Sequence, residues 1–178
     1  AADCYREEES IGWRLPPDAK AEMTLMDFAC SITGSDLTNR SGFADYKSAN
    51  TDVLTLIAAQ LCNLPECLTQ ICDAAGYKGG LHISQSPEGL PAFSGGGCLS
   101  ALDLARFGLL FARQGKGLSG GTVGSAAFTQ ACRDGNVQPL SRSRSHQRYC
   151  GHLMTDGARI GHAGYGGQYL MIDPDRGR

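Results

Sequence analysis

Few side chains in these 178 residues combine reactive chemistry with informative spacing, and Tyr46 comes first. In Gly42-Phe43-Ala44-Asp45-Tyr46-Lys47-Ser48-Ala49-Asn50-Thr51-Asp52-Val53-Leu54 a short polar turn runs directly into the start of an apolar helix. Val53, Leu54, Ile57, Ala58 and Leu61 recur at three- and four-residue steps, which is one face of an α-helix. Asn50 or Thr51 is in place to cap it. A cap oxygen accepts a hydrogen bond from an otherwise orphaned helix N–H, so the turn is held in one geometry and Tyr46 stands on a fixed base. Tyr46 is for that reason the candidate active-site side chain. The plainer alternative is a ring that seals the start of the helix and leaves its hydroxyl to solvent.

A second group lies near the end of the chain. Tyr149–Met154 reads as a strand, Thr155-Asp156-Gly157 as a turn, and Arg159–Pro174 as the segment that completes a hairpin. Within it His162-Ala163-Gly164-Tyr165-Gly166-Gly167 sets a titratable ring beside glycines that let backbone approach closely. Here the alternative is a tight turn next to a strand, with His162 a half-buried polar residue. Ser94-Gly95-Gly96-Gly97 is a third glycine-rich stretch, followed by Ser100-x-x-Asp103 as a capping box on a helix that reaches about Arg113. It carries no Gly-Lys-[Ser/Thr] and no dinucleotide fingerprint, which sets a phosphate cradle aside.

Tyr46-Lys47-Ser48-Ala49-Asn50-Thr51-Asp52-Val53-Leu54 resembles the second active-site motif of the serine β-lactamase and penicillin-binding-protein superfamily, and the nearest branch is the class C-like esterases and 6-aminohexanoate-oligomer hydrolases. The resemblance implies that Tyr46 shuttles a proton for a nucleophilic serine and that Ser48 sits at the motif's third position. It implies that His162-Ala163-Gly164 lies where the superfamily carries Lys-Thr-Gly or a looser equivalent, that the Tyr165 backbone N–H is one of two oxyanion donors, and that His162, Gly164, Gly166 and Gly96 border the substrate. Two aimed donors stabilise charge that develops only in the transition state. The implied fold is α/β (α+β): an antiparallel sheet flanked by helices, β-lactamase/transpeptidase-like and incomplete at both ends. The implied organisation is a single partial domain over residues 1–178. No cofactor is implied.

The superfamily's first motif, Ser-x-x-Lys, would supply the nucleophile and its lysine partner from one helical turn. No serine in this sequence has lysine three residues later. On this resemblance the chain is expected to begin after that motif and to stop, at Arg176-Gly177-Arg178, before a neighbouring strand. Three function classes remain open. One is a serine hydrolase acting on a small-molecule ester, amide or β-lactam. Another is a catalytically inactive structural or interaction subunit, with a protein partner completing the fold. The third is a module that holds a small ligand without turnover.

Length and composition are those of one ordinary globular domain: 42% hydrophobic, 19% charged, formal net charge -2. That balance excludes a nucleic-acid footprint. Apolar runs such as Leu109-Leu110-Phe111-Ala112 fall far short of the ~20 residues of a membrane span. The first ten residues have neither a starting methionine nor the apolar core of a signal peptide, so the chain reads as a processed or partial product, and its compartment is left open. The eight cysteines read as buried free thiols, with one or two disulfides if the protein is exported. Cys62, Cys67 and Cys72 are five residues apart and turn by roughly 140° per step on a helix, so they share no face. With no Cys-x-x-Cys and no His-x-x-x-His, no metal site is expected. The basic cluster Ser141–Arg148 reads as solvated loop.

The positioning elements follow from local signals. Gly12–Leu25, with Trp13, Pro16 and Pro17, reads as an extended connection, and Thr24 caps a helix to about Ile32 with Asp27 at the capping-box position. Gly34-Ser35-Asp36 is turn chemistry. The tyrosine helix runs to about Leu61. Leu64-Pro65-Glu66 starts a helix that Ala74-Ala75-Gly76 ends, and another lies near Ser125–Cys132. Leu81–Ser84 reads as a short strand.

Overall fold

The computed structural model describes residues 23–35, 38–134 and 138–178. The connection expected around Trp13, the residue Cys4 and the turn at Asp36 lie outside them. The chain is mixed α+β, with antiparallel sheets, and divides into two compact units. The first comprises the described residues up to Arg40 with Asp45–Cys67 and Leu81–Cys98; the second comprises Ser41–Ala44, Leu68–Gly80 and Leu99–Arg178.

In the first unit α1 (Leu25–Ser31) packs against α2 (Ala49–Leu61). Thr24 caps α1 as expected, its Oγ1 accepting from the Asp27 N–H at 3.0 Å, and Leu25 and Phe28 are its buried residues. The Leu25 N–H donates to Glu88 Oε1 at 2.6 Å, which ties the helix start to the 84–96 loop. That loop joins β1 (His82–Ile83) to β2 (Gly97–Cys98), paired antiparallel with His82 opposite Cys98. Part of the glycine-rich stretch is therefore a strand.

Helix α2 corrects the sequence in two ways. It begins at Ala49, after Ser48, so Asn50 and Thr51 lie in its first turn and neither is the cap. Its buried face is Ala49, Asp52 and Thr55, whereas Leu54, Ile57 and Leu61 are 48%, 51% and 81% exposed. Both sets recur at helical spacing, and periodicity alone does not choose between them. The polar face is the inward one, with Asp52 and Thr55 at 4% and 2% exposure, and the Thr55 hydroxyl donates back to the Thr51 carbonyl of its own helix at 2.9 Å.

Helix α3 (Leu64–Ala75) runs as predicted, with Asn63 Oδ1 accepting from the Glu66 N–H, and the division between the units falls within it. In the second unit β3 (Arg148–Cys150), β4 (Leu153–Thr155), β5 (Ile160–Ala163) and β6 (Tyr169–Ile172) form one antiparallel sheet in sequence order. Helix α4 (Ala101–Ala112) packs on β6, and α5 (Ala126–Asp134) packs on β3 and β4. The core is Cys132, Leu153, Ile160 and Ile172, with Phe111, Ala112 and Leu170 packed against it.

The expected single strand Tyr149–Met154 is instead two strands joined at Gly151-His152. Both turn residues have positive φ, 55° and 62°, the backbone of a two-residue hairpin turn whose twist matches its strands. The pair Gly-His lacks the Asn-Gly or Asp-Gly signature of such a turn, which is why the sequence conceals it. The turn after β4 is where Thr155-Asp156-Gly157 places it: Asp156 Oδ1 accepts from the Ala158 and Arg159 N–H groups at 3.0 and 2.7 Å.

The Ser100 hydroxyl accepts from the Asp103 N–H at 3.0 Å and so caps α4. Asp103, 1% exposed, also accepts from the Lys78 and Gly79 N–H groups at 3.0 and 2.9 Å and from Arg106 Nη1 at 2.7 Å. Those donors, led by the Lys78 amide, hold its carboxyl far below the usual carboxylate range. The cysteines differ from expectation: of the described ones only Cys132 is buried, while Cys30, Cys62 and Cys98 are exposed, and all are free thiols. Among the described residues no helix is long and apolar enough to cross a membrane.

Candidate functional site

The tyrosine turn belongs to the first unit. Tyr46 is half-buried in irregular backbone, and Ser48, 6% exposed, precedes α2 with helical backbone and no side-chain capping bond. Backbone bonds fix the start instead: the Asn50 N–H donates to the Lys47 carbonyl at 3.1 Å and the Thr51 N–H to the Ser48 carbonyl at 2.9 Å. Beside Tyr46, Lys47 Nζ lies 3.3 Å from Asp45 Oδ2, a partly exposed pair worth about 0–1 kcal/mol. Gly96 is in the same unit with φ +77°, and a Cβ there would stand 2.6 Å from Ser84 Oγ. Close packing against Ser84 thus accounts for glycine at that position.

The other expected residues share one hairpin of the second unit. His162 lies on β5, half-buried, and its Nε2 is 3.2 Å from the Tyr149 hydroxyl, although β4 runs between their strands. The two rings meet edge-on at 5.7 Å. Burial pushes the His162 pKa down, as does neighbouring His152, against a hydrogen bond to the Ala163 backbone that raises it. The ring is therefore neutral near pH 7, with one nitrogen able to accept from a hydroxyl.

Strand β5 ends at Ala163. The Gly164 N–H donates to the Gln168 carbonyl at 2.8 Å, closing a loop in which Tyr165–Gly167 forms a short 3₁₀ turn. Gly164 and Gly166 are exposed, and Gly166 has φ +76°. The structure thus gathers His162, Gly164, Tyr165 and Gly166 at one end of one hairpin. It gathers Tyr46 and Ser48 on one turn of the first unit.

Two polar residues escaped the sequence reading. Tyr149, the partner of His162, was hidden by the unrecognised hairpin turn two residues later. Asp52 was passed over because the leucines of its helix drew the apolar face to the wrong side; an acidic residue spaced to lie beside Ser48 and Thr55 was the available signal.

The second unit also holds an apolar cavity of about 250 Å³, walled mainly by Ile71, Phe107, Leu110, Phe111 and Phe128. None of the residues expected to bind substrate lines it. Among the described residues no group of three His, Cys, Asp or Glu side chains is arranged to hold a metal ion. No protein-family model matches the chain, and no curated protein matches it either.

Proposed function

We propose that this chain is part of a serine acyl hydrolase of the β-lactamase and penicillin-binding-protein kind, acting on a small-molecule ester or amide. In this reading Tyr46 relays a proton, Ser48 stands beside it, the Tyr165 N–H is an oxyanion donor, and His162 with Gly164 and Gly166 borders the substrate. The observation that carries the reading is the His162–Tyr149 pair next to the exposed glycine turn: a neutral imidazole, tethered at 3.2 Å, immediately before the backbone assigned to the oxyanion. Gly96 enters the reading only as lining. The finer fold, a β-lactamase-like sandwich, is supported by an antiparallel sheet with α4 packed on β6. The test is covalent labelling by a fluorophosphonate, read by intact mass, on this chain and on the product of the gene's full reading frame.

A second reading, an inactive interaction subunit, draws on the exposed Leu54, Ile57 and Leu61 of α2 and on the lack of Ser-x-x-Lys in this sequence. It predicts that Ile57→Glu abolishes capture of a partner by the full product. The hydrolase reading predicts no such loss.

A further inference from the structure

The apolar cavity of the second unit has no part in the hydrolase reading, and the chemistry of its wall selects a particular kind of guest. Helix α4 supplies Phe107, Leu110 and Phe111, α3 supplies Ile71, and α5 supplies Phe128. No charged side chain is among the described residues that line it. Its two polar side chains are engaged at the start of α5: Ser125 Oγ accepts from the Phe128 N–H at 3.3 Å, and the Thr129 hydroxyl donates to the Ser125 carbonyl at 3.3 Å. A guest bearing a charge would lose its water there and find little in exchange.

The rim is held in advance. The Gly115 carbonyl accepts from the Val123 and Gly124 N–H groups at 2.9 and 3.2 Å, and Gly115, at φ +85°, lies so near Gly124 that a Cβ would stand 2.3 Å from its backbone. The Phe128 ring is backed by the β3–β4 turn, where a Cβ on Gly151 would stand 3.2 Å from it. Phe128 and Val123 are nonetheless 48% and 38% exposed, so the apolar wall runs out to solvent and gives a guest its way in.

An apolar cavity of ~150 Å³ holds one benzene ring, so about 250 Å³ has room for two fused rings. Phe107 and Phe111 meet edge-on with ring centroids 5.5 Å apart, and together with Phe128 they offer an aromatic guest both ring faces and ring edges. We propose that this cavity is a binding site for a small uncharged aromatic molecule of about two fused rings. The site does not depend on the hydrolase reading, since none of that reading's residues lines the cavity.

Naphthalene is the probe, titrated into this chain and followed by methyl NMR and by thermal unfolding. Shifts at the Ile71 and Leu110 methyls with a Kd on the order of 10⁻⁴ M or tighter are expected, with a melting temperature that rises with probe concentration. Naphthalene-2-sulfonate, the same rings carrying a charge, should bind at least about 10-fold more weakly. Phe128→Ala removes an exposed part of the wall and should weaken naphthalene about 10-fold, while Ile71→Trp fills the space and should abolish the shift at Leu110. The Ile160 and Ile172 methyls report whether each variant keeps its core; for a variant that does not, the preference of the wild type for naphthalene over the sulfonate decides. No shift at Ile71 and Leu110, shifts confined to the exposed Leu54, Ile57 and Leu61 of α2, equal binding of the sulfonate, or undiminished binding by both folded variants overturns the site.

Discussion

The Tyr149 hydroxyl and His162 Nε2 stand 3.2 Å apart, bridging strands β3 and β5 across β4. Because burial lowers the His162 pKa, the unfolded chain binds a proton there that the folded chain does not. Stability therefore rises with pH through the interval below the ordinary histidine value of about 6.5, and is lost as the pH falls through it. The ring resonances of His162 should titrate below that value by NMR, and His162→Gln should flatten the acid side of the stability profile. Tyr149→Phe, which deletes the hydroxyl's hydrogen bond to His162, should cost about 0.5–1.5 kcal/mol in urea unfolding. A His162 titrating at or above the ordinary value would refute the neutral-ring account.

Asp103 behaves oppositely to a buried unpaired carboxylate. Its amide, hydroxyl and guanidinium donors depress its pKa, so the stability it confers is complete well above the ordinary aspartate value of about 3.9 and is lost as the pH falls through that value toward the folded-state one. Asp103→Asn should lower the melting temperature at pH 7 and converge with the wild type in strong acid. A constant gap between the two from pH 7 to pH 2 would show that the charge is not what stabilises.

Ile160 is 0% exposed at the centre of the cluster with Cys132, Leu153 and Ile172. Ile160→Ala should cost about 2–5 kcal/mol, the range for deleting a buried branched side chain and leaving a cavity. Leu61→Ala, at a position 81% exposed, should change stability by no more than about 0.5 kcal/mol. Chemical unfolding of the two variants side by side checks the assignment of inside and outside.

Elements with a local, one-residue cause were legible in the sequence. Thr24 with Asp27, Leu64-Pro65-Glu66 and Ser100 with Asp103 each mark a helix start, because a cap or a first-turn proline is read from neighbours. What depended on tertiary partners was not legible. Which face of α2 is buried depends on packing that helical spacing does not reveal, and the split of β3 from β4 on two left-handed residues with no Asn-Gly signature. The same limit holds for the site. His162 could be singled out from its glycines, whereas Tyr149 is its partner only through the sheet.

The most direct measurement is intact mass after exposure to a fluorophosphonate and to a chromogenic β-lactam or short-chain ester. This chain, with no serine three residues before a lysine, should keep its mass, since removing the nucleophile from such a unit costs several orders of magnitude in rate. The product of the full reading frame should gain one adduct on a serine of a Ser-x-x-Lys turn, and Tyr46→Phe should slow its formation by roughly 10²-fold or more. An adduct on Ser48 of the 178-residue chain, or no adduct on the full product, would contradict the account.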